Sequence, residues 1–298
     1  MDEKKLIVLE GATASGKTSL AIEWALKYNT EIISADSRQI YKELRIGVAR
    51  PSEAELSKVP HHFIACKSIH DYYSVYQYQQ EVLALLEQLF KRHDTVILTG
   101  GTGLYIKAVC EGIDEFPDPD PVLRERLNNM SLSELQAQLK LIDPDFYNIV
   151  ALGNPARLRR ALEVCYTTGK PYSEQRTHTP QKRSFEIERH AINMPRKQLF
   201  ERIEKRVDIM LEEGLLEEAR TLYPFRHLGA LRTVGYRELF EYFDGKISFE
   251  QAVTDIKTNT RRYARRQITW LRREGFLMEE NAKLVAELAP GFVIEKLP

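Results

Sequence analysis

The chain has 298 residues, 43% hydrophobic and 29% charged, with 43 Lys and Arg balanced by 43 Asp and Glu. Its length suits one large domain or a core with an insertion, and its zero formal charge excludes a global signature of a nucleic-acid partner, which must be sought in local clusters. Three scattered cysteines without a CxxC pair exclude a disulfide scaffold and a zinc ribbon; no apolar run approaches the ~18 residues of a membrane span and no secretory signal is present, so a cytoplasmic protein without a membrane partner is expected.

Residues 5–10 (KLIVLE) form a short apolar run ending at a Gly-rich turn, the profile of a buried parallel strand. A helical pattern follows over Thr18–Tyr28, with Leu20, Ala21, Trp24 and Ala25 on one face. EIISA at 31–35 is a second strand, 77–91 a helix, and TVILT at 95–99 a third strand ending at Gly100-Gly101. Strand and helix in alternation predict an α/β fold, a P-loop NTPase-like parallel sheet flanked by helices. The Pro- and Asp-rich DEFPDPDPVL marks a boundary near 114, and helical patterns continue to about 166. IERHAINM at 187–194 reads as another strand and the remainder as mostly helical. The expected organisation is a P-loop catalytic core of 1–113 and 187–298 with a helical insertion domain, 114–186.

Gly11-Ala12-Thr13-Ala14-Ser15-Gly16-Lys17-Thr18 matches G-x-x-x-x-G-K-[ST] between a strand and a helix. Glycines let successive N–H groups curl inward onto phosphate oxygens, and the helix N-terminus adds partial positive charge. Lys17 adds a full charge, and the Thr18 hydroxyl can bind Mg²⁺. The loop thus points to a diphosphate or triphosphate without specifying nucleotide hydrolysis. TVILT ends without a carboxylate; the acid at a strand end is Asp36, which suits a metal-side carboxylate, a general base or a turn cap. Gly100-Gly101-Thr102-Gly103 is the other strand-end loop, either a simple turn or a place where backbone approaches a ligand with the Thr102 hydroxyl nearby. Adjacent His61 and His62 point to opposite faces of a strand and suit a structural role better than a metal pair.

Residues 255–273 carry seven basic side chains against Asp255, with Lys257, Arg261 and Arg265 on one stripe and Tyr263 and Trp270 on another face. Such a stripe suits a phosphate backbone or a solvated helix paired with acidic neighbours, and the aromatics suit core packing or base stacking. Further basic clusters lie at Arg157, Arg159 and Arg160, and at Arg196, Lys197, Arg202, Lys205 and Arg206.

Taken in order, GATASGKT (11–18), ISADSRQIYKELRIGVARP (33–51), PHHF (60–63), TGGTGLY (99–105), RRALEV (159–164), RIEKRVDIML (202–211), VGYRE (234–238) and TRRYARRQITWLR (260–272) resemble the tRNA dimethylallyltransferase family along nearly the whole chain. The resemblance implies a prenyltransferase whose phosphate loop, Gly11 to Thr18, grips the diphosphate of dimethylallyl diphosphate rather than a nucleotide. It implies Asp36 as general base toward adenine N6, with Thr102 supporting the bridging oxygen and the adenine. Arg206 would stabilise the leaving diphosphate, and Thr18 would sit on Mg²⁺ or the diphosphate. It implies tRNA contacts at Asp36, Ser37, Arg38, Gln39, Thr102, Arg124, Ala156, Arg157, Leu158, Arg159, Arg160, Arg232, Gly235, Tyr236, Arg237, Arg265, Arg266, Gln267, Trp270 and Arg272. The implied partner is a tRNA anticodon stem-loop whose adenosine 3′ of the anticodon is flipped into a channel, dimethylallyl diphosphate entering from the opposite side; the implied cofactor is Mg²⁺, and a monomer is expected. The sequence departs from the family at Ala12, where proline is usual, at Val48 and Arg50, where threonine and lysine are common, and at Ala156, where glutamine is frequent. It resembles the shorter bacterial form, without a C-terminal zinc finger. A P-loop nucleoside kinase, a prenyltransferase of free adenine nucleotides and a non-enzymatic RNA-binding protein share parts of the pattern.

Overall fold

A computed structural model describes residues 4–177, 179–276 and 293–297. They fall into two compact units, Met1–Cys110 with Lys182–Pro298, and Glu111–Gln181.

The first unit opens with β1 (Lys5–Gly11), α1 (Lys17–Lys27), β2 (Ile32–Ser34), the short α2 (Glu53–Leu56), β3 (His61–His62), α3 (Val75–Leu89), β4 (Thr95–Gly100) and α4 (Gly103–Glu111). Its six-stranded sheet is completed from the C-terminal half, in the order β3-β2-β4-β1-β5-β6. β5 (Glu186–Asn193) lies parallel to β1, which is parallel to β4 on its other side, whereas β6 (Val293–Lys296) closes the edge antiparallel to β5. β1 reads as unbroken apolar sequence because both its faces are covered. Leu6 and Val8 pack with Tyr78, Val82 and Leu86 of α3 and Ile106 and Val109 of α4. Leu9 packs on the opposite face with Leu20, Ala21 and Ala25 of α1. α3 starts where it does because Ser74 and Gln77 form a reciprocal capping box. Among the described residues, the later helices of this unit are α10 (Arg196–Glu212), α11 (Leu215–Leu222), α12 (Tyr236–Phe243) and α13 (Phe249–Arg273).

The second unit is helical: α5 (Pro121–Asn128), α6 (Leu132–Ile142), α7 (Pro144–Ile149), α8 (Pro155–Thr168) and the single turn α9 (Tyr172–Gln175). Four of these helices begin on a side-chain cap, from Asp120, Ser131, Asp143 and Asn154, and three carry proline in the first turn, where its missing N–H costs nothing. Leu127, Leu135, Leu139, Phe146, Leu158 and Leu162 form its core. The return to the sheet unit comes at Lys182, earlier than the expected 187, because Arg183 donates to the carbonyls of Val109 and Ala108 at 2.8 and 2.9 Å and ties the approach to β5 onto α4. The antiparallel β6 was outside the expected pattern, which read the C-terminal part as mostly helical.

Candidate active site

The phosphate loop leaves the end of the central strand and enters α1 through two left-handed residues, Ala14 (φ 65°) and Gly16 (φ 97°). Gly11 is required by packing as well: a Cβ there would lie 2.8 Å from Ser15 Oγ. Lys17 Nζ donates to Ala12 O at 2.7 Å. Its side chain borders a cavity, so part of its surface is open, yet the ammonium is enclosed; burial, and then the neighbouring Arg206, push its pKa down to about 8 against the pull of Asp36. Arg206, reaching from α10 to within 3.5 Å of Thr13 Oγ1, is itself lowered by burial and by Arg202. Two cations held this close in a poorly solvated place form a site whose electrostatics favour a multivalent anion.

That cavity, of about 750 Å³, is bordered by Thr13, Lys17, Thr18, Asp36, Arg206 and Gln267 among others. Its apolar wall includes Ile46, Val48, Val207, Met210, Leu215 and Val234. A second cavity of about 280 Å³ is bordered by Ser37, Thr102, Gly103, Arg266 and Trp270. Gly100, Gly101, Tyr263 and Gln267 border both. Gln267, buried on α13, forms a crossbar between them: its Oε1 accepts from Thr13 N at 2.8 Å and its Nε2 donates to Gly101 O at 2.9 Å.

The two strand-end turns after β2 and β4 are joined. Thr102 N donates to Ala35 O (3.1 Å), Ser37 N to Thr102 Oγ1 (3.0 Å), and Thr102 Oγ1 to Ser37 Oγ (3.2 Å). Asp36 Oδ1 accepts from the backbone N–H of Arg38 (2.9 Å) and Gln39 (3.3 Å), so the turn-capping role is real, and the same carboxylate borders the large cavity. The glycines of the GGTG turn answer to neighbours in the fold. A Cβ on Gly100 would lie 2.2 Å from Ala35 O, one on Gly101 2.3 Å from Gln267 Nε2, and one on Gly103 2.1 Å from Trp270 Nε1. Close approach is needed, but by protein groups.

Several residues expected to contact tRNA are committed to internal contacts. Leu158 and Tyr236 are fully buried: Leu158 faces the core of the helical unit, and Tyr236 sits under Gly47. Arg38 Nη1 donates to the carbonyls of Gly229 and Ala230, and Gln39 Nε2 to those of Val48 and Ala49. Arg124 forms a two-pronged pair with the buried Glu163 at 2.7 and 3.0 Å, and Arg160 also reaches Glu163. Arg159 is held by Asn128, and Arg237 by Glu238. Gly235 is buried with φ 100°. Ala156, Arg157, Arg232, Arg265, Arg266 and Arg272 are exposed. On the basic stripe of α13, Lys257 pairs with Asp208 at 2.6 Å and Arg261 with Glu204, so its first two members zip α13 to α10. His61 Nδ1 meets Val59 O and His62 Nε2 meets Glu31.

One residue the sequence did not single out is Glu218. A glutamate next to Glu217 in a charged helix carries no signal in sequence, yet its carboxylate accepts from the backbone N–H of Ile46 and Gly47 and from the Tyr236 hydroxyl.

A phosphate loop at the end of a parallel sheet, with paired cations and a carboxylate turn around one cavity, defines a P-loop α/β protein. Comparison with known proteins narrows the class. The model of the IPP transferase family matches residues 39–274, and the chain belongs to that family. It is 50% identical over 273 residues to tRNA dimethylallyltransferase 1 of Phocaeicola vulgatus, covering 90% of this chain and 91% of that one. The crystal structure of the full-length tRNA isopentenylpyrophosphate transferase of Bacillus halodurans is similar with a TM-score of 0.63 and 34% identity, over 91% of this chain and 87% of that one. A eukaryotic dimethylallyltransferase solved acting on tRNA gives a TM-score of 0.76 at 28% identity, over 90% of this chain and 70% of that one. Among the described residues, no helix is long and apolar enough to cross a membrane.

Proposed function

We propose that this chain transfers a dimethylallyl group from dimethylallyl diphosphate to N6 of the adenosine 3′ of the anticodon, in tRNAs reading codons that begin with U. The observation that carries the reading is the single cavity bordered by the phosphate loop, Arg206, Asp36 and an apolar wall: it offers an anion site, a base and a place for a short hydrocarbon side by side. Family membership supplies the reaction class.

In the proposed reaction N6 attacks C1 of the dimethylallyl group, the C1–O bond breaks, and diphosphate leaves with the bonding pair. The N6 proton passes to Asp36; since the turn engages Oδ1, the other carboxylate oxygen takes it. Loop N–H groups, Lys17 and Arg206 stabilise charge growing on the leaving group. Thr102 fixes Ser37, and with it the turn that carries Asp36. Among the described residues no group of three or more His, Cys, Asp or Glu is arranged for a metal. Mg²⁺ that arrives with a diphosphate needs few protein ligands, and the Thr18 hydroxyl on the cavity wall fits that donor set. Bound there, the ion would offset charge on the diphosphate oxygens. Exposed Arg157, Arg232, Arg265, Arg266 and Arg272 are the proposed phosphate contacts with tRNA. The reading places the enzyme in the cytoplasm as a monomer.

The test is incubation of the purified protein with Mg²⁺, dimethylallyl diphosphate and an unmodified anticodon stem-loop bearing adenosines at positions 36 to 38. Digestion and mass spectrometry then look for N6-dimethylallyladenosine, with Asp36→Ala alongside. Product from the native protein and a loss of about a hundredfold or more in the variant supports reaction and base together. Equal rates remove Asp36 from the proton transfer. Prenylation of free AMP with none on RNA moves the protein to the nucleotide-prenylating enzymes.

A further inference from the structure

The wall of the large cavity is completed by the segment Arg45–Arg50, which has no regular secondary structure and contains a left-handed alanine, Ala49 (φ 48°). Such a segment needs outside partners to hold one conformation. It has two. From the side of the Asp36 turn, Gln39 Nε2 donates to the carbonyls of Val48 (3.2 Å) and Ala49 (3.0 Å). From α11, Glu218 takes its amides: Oε2 accepts from Ile46 N (2.9 Å) and Oε1 from Gly47 N (3.0 Å). The Tyr236 hydroxyl donates to the same Oε1 at 2.5 Å, and its fully buried ring lies so close under the segment that a Cβ on Gly47 would be 2.5 Å from its Cζ.

Resting on the prenyl-transfer reading above, we infer that Glu218 is a positioning residue that fixes the Arg45–Arg50 wall, and through Ile46 and Val48 sets how long a prenyl chain the cavity accepts. A carboxylate suits the task because both oxygens accept and neither donates, so it can face two N–H groups and a phenol at once. Val48, a β-branched side chain with few rotamers, makes a stiff wall once its backbone is fixed. The device links the reacting turn to substrate fit: Gln39 lies three residues after Asp36, so the carboxylate turn and the hydrocarbon wall are held as one piece.

The experiment compares the native protein with Glu218→Gln, an isosteric change that puts an NH₂ group against backbone donors, and with Tyr236→Phe, which removes a single donor and keeps the carboxylate. Steady-state rates are measured with dimethylallyl diphosphate and stem-loop RNA varied separately. Dimethylallyl and geranyl diphosphate are run in competition, and thermal protection by each diphosphate is recorded without RNA. Glu218→Gln is expected to raise KM for dimethylallyl diphosphate about tenfold, leave KM for the RNA within about twofold, and shrink the preference for the shorter chain. Tyr236→Phe should shift the same quantities less, and it carries the test if the glutamine variant does not fold. Unchanged KM and chain-length preference in folded variants, or an equal loss toward both substrates, overturns the inference. If the native protein makes no product on RNA, the prenyl-transfer reading fails, while the thermal protection still decides whether Glu218 governs diphosphate fit.

Discussion

Lys17 is a lysine whose pKa has been lowered to about 8, first by burial and then by Arg206, with Asp36 the opposing charge. Two trends of opposite sign follow. Without ligand, the unfolded chain holds its proton up to the ordinary value of 10.5 while the folded one releases it near 8, so the burial penalty disappears and this residue's contribution to stability rises between those two values. A bound diphosphate selects the charged form, so affinity is full below pH 8 and falls above it. At one unit above the folded pKa roughly a tenth of the molecules carry the proton, so inorganic diphosphate should bind about tenfold more weakly at pH 9 than at pH 7 through Lys17 alone. The assay is calorimetric titration across pH 6.5 to 9.5 on the native protein and on Lys17→Met, which has similar length and no charge. The ligand's own ionisation is common to both and drops out of the ratio. A ratio that stays constant through pH 8 refutes the assignment of the depressed ammonium to the anion site.

Other substitutions sort structural from functional demands. In Gly100→Ala the new Cβ would strike the backbone of Ala35 at 2.2 Å, which cannot turn aside; a loss of about 3 kcal/mol and a fall in Tm of roughly 5 °C or more are expected by calorimetry, and a melt like the native one contradicts this. Gly101→Ala meets the end of the Gln267 side chain instead; displacing it breaks its bonds to Thr13 and Gly101 for about 1–2 kcal/mol, so transfer rate should fall far more than Tm. Leu158→Ala should cost about 2–5 kcal/mol, seen as faster amide exchange within the helical unit and little change in the sheet. At Glu31, burial raises the carboxyl's pKa, but hydrogen bonds from His62 and His93, with Arg92, outweigh it and leave the group below its ordinary 4.5. Its stabilisation is complete above that value and is lost as pH falls through the lower folded one, so Glu31→Gln should flatten that part of the acid-unfolding curve.

The sheet was largely legible because its strands are buried on both sides and read as short apolar blocks ending at Gly or Asp: KLIVLE, EIISA and TVILT correspond to β1, β2 and β4 within a residue or two. β3 is two residues long and β6 lies far along the chain, and neither has a period to detect. The phosphate loop was visible because its chemistry needs particular residues at fixed spacing. The GGTG turn was visible as a motif, but its cause lay in Ala35, Gln267 and Trp270, the latter two more than 160 positions away in sequence. The same distance hid Glu218, whose partners at 46 and 47 are brought to it only by the fold. Within the basic helix, charge alone did not separate Lys257 and Arg261, neutralised by α10, from Arg265 and Arg266, which stand exposed.

The helical unit begins and ends at one place: Gln181 N donates to Glu111 O at 2.6 Å. Entropically, therefore, the whole excursion is a closed loop, and the cost of closing it grows only with the logarithm of its length. A domain grafted in this way can lengthen, shorten or exchange its helices while β4 and β5 keep their places beside β1. Evolution can thus retune the helical unit without re-solving the packing around the phosphate loop, and a protein engineer could replace it between those two residues with a short turn to obtain a minimal sheet unit.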